Sequence, residues 1–328
     1  MQRSASPPAS PGNRTLFGLL TFDEPLLCAR ETLGATAPIL IGGVGGICSL
    51  PRLPDWSELP DDPLHAPLVP PEEARTWRQG SEPFAWGFPT SYPTGTGQVE
   101  MALLRFDVAG DSVSEEGARV IRGFDSWRTL FLCHLELLTK QRRIQQIRVQ
   151  NKIDDLDLFC WSAENKPERP WDKEPTEVQI VFPSEDTFLK VSQFNRLCEL
   201  ASAGIELPLE YRIQLEAYRA LAVGDFRKAI IEAGAAAEVA LTSAICAKLS
   251  TDGITHGDEL LGKFRTLGGR LNLAKKIGLQ LPKLGISKNL VQPRNEVVHK
   301  ADFADHRTAY LAIEVTDELI HMQPGALY

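Results

Sequence analysis

One stretch of 24 residues, Phe226–Leu249 (FRKAIIEAGAAAEVALTSAICAKL), constrains the fold of this chain more than any other. It holds no proline, a single glycine and eight alanines. Alanine has the strongest helix propensity and the smallest side chain that still favours a helix. The stretch therefore predicts a long helix against which neighbours can pack closely. Gly224 breaks the segment before it, and Asp225 stands where an N-cap belongs. So apolar a helix needs cover, and the flanking sequence supplies it. Helices are expected over Asp186–Ala203, Pro208–Val223 and Ala304–His321, with shorter segments between Asp258 and Leu279 and one more around Arg294. The second part of the chain reads as an all-α bundle of roughly four to six helices.

The first part reads differently. Proline, glycine and tryptophan are frequent, and short apolar or alternating runs predict strands at Leu16–Phe22, Ile39–Ile41, Met101–Val108, Leu156–Trp161 and Val178–Phe182. One helix is expected, Phe124–Gln146. A Pro-rich connection, Ser49–Glu73, is long for a domain interior and suits a functional or mobile segment. The fold class is thus α+β: a strand-rich mixed domain at 15–190, then the helical domain at 191–328, after a polar tail at 1–14. With 328 residues, of which 43% are apolar, two cores of ordinary size can form.

Several activities are disfavoured. No run of about 18 apolar residues predicts a membrane span. The first residues lack the apolar segment of a signal peptide. The six cysteines are scattered with no CxxC pair, which argues against a zinc site or a disulfide framework and for free thiols in a reducing cytoplasm. His134, His256 and His306 have no ligand neighbours at metal spacing, and no metal or cofactor is expected. Gly42, Gly43, Gly45 and Gly46 lack the Lys-Ser/Thr or GxGxxG spacing of a phosphate loop and read as a turn. Trp77, Phe84, Trp86, Phe88 and Tyr92 read as a small satellite core. The basic run Lys140, Arg142, Arg143, Arg148 and Lys152 reads as solvated surface.

The net charge of −8 conceals a sharp asymmetry. Residues 205–328 carry 15 Lys+Arg and 15 Asp+Glu, so the first 204 residues hold the whole excess, 20 basic against 28 acidic. Within the neutral part, Lys263–Lys300 carries nine basic residues against one acid, Glu296, a local charge of +8. Such a segment suits a polyanion, with Lys275, Lys276, Lys288 and Lys300 as candidate RNA contacts.

That segment ends in RNEVVH, Arg294–His299. Arginine offers a permanent cation and a planar donor fork for phosphate oxygens, and histidine trades protons near neutral pH. Together they can cleave a phosphodiester without a metal. Positions five apart on a helix lie about 140° around its axis, so one helix cannot easily aim both at one phosphate. Two copies facing across a twofold axis could. Pro293 fits the first turn of a helix, which would set Arg294 near the positive helix end. Val297 and Val298 are expected to pack inward.

A GDF turn at Gly224–Phe226, the long Ala-rich helix, the R-N-x-x-x-H pattern of Arg294, Asn295 and His299, and a closing amphipathic helix together resemble the HEPN family (higher eukaryotes and prokaryotes nucleotide-binding domain). The resemblance covers about residues 205–328. It implies an all-helical homodimer with a cleft at its interface, often a metal-independent endoribonuclease acting as a toxin or in antiviral defence. Arg294 and His299 match the catalytic pair and Asn295 the polar position after the arginine. Glu238 matches the acidic residue that orients the arginine, with Glu232 as a second candidate. RNA is then the expected substrate. The strand-rich domain would hold a sensor or regulatory role, with a trigger protein as its possible partner. A noncatalytic dimerisation or nucleotide-binding module is the alternative.

Overall fold

The computed structural model describes residues 14–54, 67–79, 82–91, 96–109, 112–141, 160–161, 167–168, 188–254, 257–299 and 304–322. They fall into two units, Met1–Gln141 with Ser184–Leu207, and Arg142–Pro183 with Pro208–Tyr328. The chain is α+β: an antiparallel sheet comes first and a helical region follows.

In the first unit, β1 (Arg14–Cys28), β2 (Thr36–Ile41), β3 (Val44–Ser49), β6 (Gly87–Ser91) and β7 (Thr96–Val108) form one sheet, while β4 (Arg78–Gln79) and β5 (Glu82–Pro83) make a separate ribbon. Four strands run in the order β1-β7-β3-β2, and β6 pairs with β7, all antiparallel. Strict alternation along β2 buries Ala37, Ile39 and Ile41 on one face, as a half-covered strand requires. Gly18 and Cys48 lie opposite Leu104 on either side of β7, and Leu20 lies opposite Ala102, so one layer of the core crosses three strands.

Two helices cover this face, α1 (Val113–Thr139) and α2 (Val191–Ser202). The first begins at Val113 rather than at the expected Phe124. Gly117, Gly123 and two acids hide its start from a periodicity argument, yet Gly123 is there for packing. A Cβ at that position would lie 2.5 Å from the Gly42 nitrogen, so the β2–β3 turn rests directly on the helix backbone. Arg119 closes the same contact, donating from Nε to the Gly42 carbonyl at 3.2 Å. The four-glycine stretch is thus a hairpin turn. The helix ends at Lys140 in the left-handed conformation, φ 54°. Gln141 then uses its buried amide as a strand would, accepting from Leu27 N at 2.8 Å and donating to Leu27 O at 2.7 Å.

Helix α2 joins the sheet, not the bundle. Leu189 exchanges backbone hydrogen bonds with the end of β1, donating to Leu27 O at 2.9 Å and accepting from Ala29 N at 3.0 Å. Phe194, Leu197 and Cys198 are fully buried in the sheet unit's core. The Ser202 hydroxyl accepts from Leu40 N at 2.9 Å and from the Trp127 indole at 3.3 Å. The helical unit accordingly starts at Pro208 rather than at the 191 expected from the change in periodicity. Of the aromatic cluster, Trp86 is buried, Trp77 and Phe84 pack against the same core, and Phe88 is exposed. Cys28, Cys48 and Cys198 are free and buried. A hydrogen bond with Cys48, together with burial, pushes the Cys198 thiol far up. The expected tail, Val178–Phe182, most of Leu156–Trp161, the middle of the Pro-rich connection and Tyr92 lie outside the described residues. In that stretch Cys160–Trp161 (β8) pairs with Pro167–Glu168 (β9).

The second unit holds six α-helices among the described residues: α3 (Leu209–Ala222), α4 (Phe226–Thr251), α5 (Gly257–Lys263), α6 (Leu267–Lys276), α7 (Gln292–His299) and α8 (His306–His321). The GDF turn has a local explanation. Gly224 sits at φ 78° and donates to Leu221 O at 3.1 Å, and Asp225 N donates to Ala220 O at 2.9 Å. This pair of bonds is the Schellman closure that glycine permits. The Asp225 carboxylate then accepts from Lys228 N at 3.0 Å and starts α4. Helix α4 is the hub, packed against α3, α6, α7 and α8. Ala229, Ala233, Ala236, Ala237 and Ala240 are fully buried there. Thr316 on α8 comes close enough to donate to Ala233 O at 3.1 Å. Among the described residues, α4 alone is long and apolar enough to cross a membrane, and in this structure its apolar window is largely packed inside the bundle.

Candidate functional site

Helix α4 carries Glu238 at a half-buried position between the fully buried Ala237 and Ala240. Helix α7 carries Arg294 across from it. The two meet as an ion pair, Arg294 Nη2 to Glu238 Oε2 at 3.8 Å. Glu238, not Glu232, is the acid that faces the arginine. A third residue completes the group. Arg270 on α6 reaches the other carboxylate oxygen, Nη1 to Oε1 at 3.0 Å, and the same Nη1 donates to the Glu238 main-chain oxygen at 3.2 Å. One carboxylate therefore lies between two guanidiniums, and two cations against one anion leave the cluster a net charge of +1.

Burial sharpens this arrangement. The side chains of Arg270, Glu238 and Arg294 are 21%, 23% and 27% exposed. They are screened from bulk water without being sealed from it, so their mutual fields are stronger than those of surface pairs. The two Arg–Glu contacts differ in kind. At 3.0 Å the Arg270 contact is a hydrogen bond, whereas 3.8 Å is an ion pair without one. The Nε atoms of Arg270 and Arg294 are both buried and make no hydrogen bond. Arg294 is thus attracted to its acid but not consumed by it.

The small residue in the middle of α4 explains how an arginine fits there. A Cβ at Gly234 would lie 2.5 Å from Arg294 Cδ and 3.0 Å from its Nε. The Arg294 stem lies across the bare backbone at Gly234, one turn before Glu238 on the same helix. Glycine in a helix interior costs about 1 kcal/mol relative to alanine, and here it makes room for the arginine.

Helix α7 differs from its expected form. Ile286–His299 is continuously helical, with a π-turn over Ser287–Val291 in which Gln292 N bonds to Ser287 O. Pro293 therefore lies inside a longer helical segment. Its missing N–H and its ring would disrupt an ordinary α-turn, and the wider π-turn before it absorbs that misfit. Arg294 consequently does not stand at a positive helix end, and its anion affinity has to come from its own charge and that of Arg270. Val297 is buried, as expected, but Val298 is 41% exposed and does not pack inward.

The remaining candidates are placed as follows. Asn295 and His299 are exposed and make no hydrogen bond with another described residue. His299 closes α7. Lys275 and Lys276 are exposed at the end of α6, with Lys276 Nζ 5.8 Å from the Phe264 ring centre, and Lys288 is exposed in the π-turn. Lys300 lies outside the described residues. The structure brings Glu238 and Arg294 together and adds Arg270, which the sequence marks only as one of nine cations. Among the described residues no three His, Cys, Asp or Glu side chains cluster at metal-binding distance. Chemically, the group can hold an anion in a partly desolvated pocket of positive charge, beside an exposed imidazole on the same helix. No protein-family model, curated protein or solved structure matches this chain.

Proposed function

We propose that the helical unit is a HEPN-type endoribonuclease that cleaves RNA without a metal, as a toxin or antiviral effector in the cytoplasm. The observation that carries this reading is the meeting of Glu238 and Arg294 across α4 and α7, with His299 exposed on the same helix as the arginine. In this scheme the 2′-OH of one nucleotide attacks the adjacent phosphorus. The P–O5′ bond breaks, leaving a 2′,3′-cyclic phosphate and a 5′-OH end. Arg294 holds the phosphate and offsets the extra negative charge of the transition state. His299 takes the 2′-OH proton or delivers one to the leaving oxygen. Asn295 orients the phosphate, and Glu238 orients Arg294. Lys275, Lys276, Lys288 and Lys300 guide the RNA backbone.

One helix separates Arg294 and His299 by about 140°, so a second copy completes the site, with each α7 facing its twin in a homodimer. The exposed Val298 beside His299 suits such an interface. The sheet unit, acidic in composition, serves as the regulatory or sensor part and receives the trigger protein.

The test is incubation of the full chain with tRNA and mRNA, with and without EDTA, followed by mapping of the ends. Cyclic phosphate and 5′-OH ends, insensitivity to EDTA, inert DNA, and loss of cutting in Arg294→Ala and His299→Ala support the reading. Cutting by His299→Ala at the wild-type rate sinks it, and abolition by EDTA sinks its metal-free scheme. RNA or nucleotide binding with no cleavage would leave the noncatalytic module instead.

A further inference from the structure

The Arg270–Glu238–Arg294 group raises a question of competition. A carboxylate and a phosphodiester are both anions with two oxygens to offer, and an arginine fork fits either. An arginine beside a free glutamate would close on it as a two-bond pair and be lost to substrate. Here that closure is prevented. Arg270 holds Glu238 at both ends, by its carboxylate at 3.0 Å and by its own main-chain oxygen at 3.2 Å, from the same Nη1. Arg294 is left 3.8 Å from the remaining oxygen, with its Nε unbonded. Attraction at that distance still aims the guanidinium, but no hydrogen bond has to be broken before a ligand is taken.

We infer that Arg270 is a positioning residue of this site: by occupying Glu238 it keeps the Arg294 guanidinium available to a phosphate of bound RNA. The inference rests on the ribonuclease reading for the identity of the anion. Without Arg270, Glu238 and Arg294 form a neutral, closed pair, and the site loses both its net positive charge and its free donors. Removing the competing carboxylate at the same time should reopen it. A role for Arg270 in folding alone predicts no such recovery.

The experiment measures affinity, so that it does not depend on turnover. A fluorescent RNA oligonucleotide of mixed sequence, blocked by 2′-O-methyl groups, is titrated with the full chain and followed by anisotropy. Arg294→Ala and Arg270→Ala are each expected to weaken binding about tenfold, and Arg270→Ala/Glu238→Gln to recover to within about threefold of wild type. Thermal melts by circular dichroism check that each variant is folded. Should Arg270→Ala fail to fold, Arg270→Lys takes its place. It keeps the charge but not the planar fork, and is expected to bind more weakly than wild type and to recover with Glu238→Gln. Wild-type affinity in the single Arg270 variant, or no recovery in the double variant, overturns the inference. If Arg294→Ala also binds normally, or wild type does not bind at all, the ribonuclease reading falls with it. If Arg294→Ala binds weakly while Arg270→Ala does not, only the role of Arg270 falls.

Discussion

The two units treat the same side chains in opposite ways. In the sheet unit, His134 is buried on α1 and donates from Nε2 to the Ile205 carbonyl at 2.8 Å. In the helical unit, His299 ends α7 in solvent with no bond to a described residue. Arg105 in the sheet unit bonds Asp107 at 2.9 Å and Glu73 at 3.2 Å, and these acids, Asp107 first, raise its pKa above the ordinary arginine value. Arg294 in the helical unit reaches its acid only at 3.8 Å and leaves Nε unbonded. Where the sheet unit satisfies its polar groups in place, the helical unit holds a few in readiness. Groups left partly unsatisfied cost stability, and a fold retains them where they do something else. This contrast, more than any pattern of residues, separates the candidate site from the structural polar groups.

The contrast is easiest to break at the site. Arg294→Ala and His299→Ala should each lower the rate of RNA cleavage about a thousandfold, roughly 4 kcal/mol of transition-state stabilisation. Melting temperatures should hardly move, since both side chains are partly or wholly exposed. A large drop in stability with a small drop in rate would place these residues in the structural class. The reverse holds for the sheet unit. Gln141→Ala strands the Leu27 N–H in the core and should cost about 2 kcal/mol in urea unfolding while leaving cleavage by the folded protein unchanged. Gly234→Ala tests the space beneath Arg294. The new methyl must push the arginine stem aside, so cleavage should fall about tenfold, although alanine favours the helix by about 1 kcal/mol. A variant that is as stable as wild type and slower is the expected outcome, and normal cleavage would show that the arginine does not depend on that position.

The smallest effect concerns pH. Burial holds the His134 pKa below its ordinary value, despite the opposing bond to the Ile205 carbonyl. The unfolded chain therefore binds this proton more readily than the folded one. The stability is complete above a pH of about 6.5, the ordinary histidine value, and declines as pH falls from there through the folded pKa. Thermal melts between pH 7.5 and 5 should show the decline in wild type and a flatter profile in His134→Gln.

Legibility in the sequence followed the range of the forces involved. The ends of α3, α4 and α8 were readable to within about two residues, because Gly224, Asp225 and Asp305 act on backbone groups within a turn of themselves. The start of α1 was hidden, because Gly123 answers to the β2–β3 turn far away in sequence rather than to its own helix. The allegiance of α2 was hidden for the same reason, since both candidate partners offer an apolar surface to the same stripe of residues. At the site, Arg294, Asn295 and His299 stood out as a local pattern. Arg270 did not. It lies 32 residues from Glu238, and only the packing of α6 on α4 distinguishes it from the other cations of its segment.

The π-turn before Arg294 has a consequence that lies in counting rather than chemistry. A turn closed from Gln292 back to Ser287 contains one residue more than an α-turn needs. Each residue advances a helix by about 100°, so the extra one sets the phase of everything after it. A chain lacking any single residue of 287–291 could wind as plain α-helix and keep every side chain named in the site. Arg294 would then point about 100° away from Glu238. Such a deletion, which alters no functional group, should abolish the site as completely as replacing the arginine. Among natural variants of this chain, length in these five positions would be a more telling mark of an intact site than identity at any one of them.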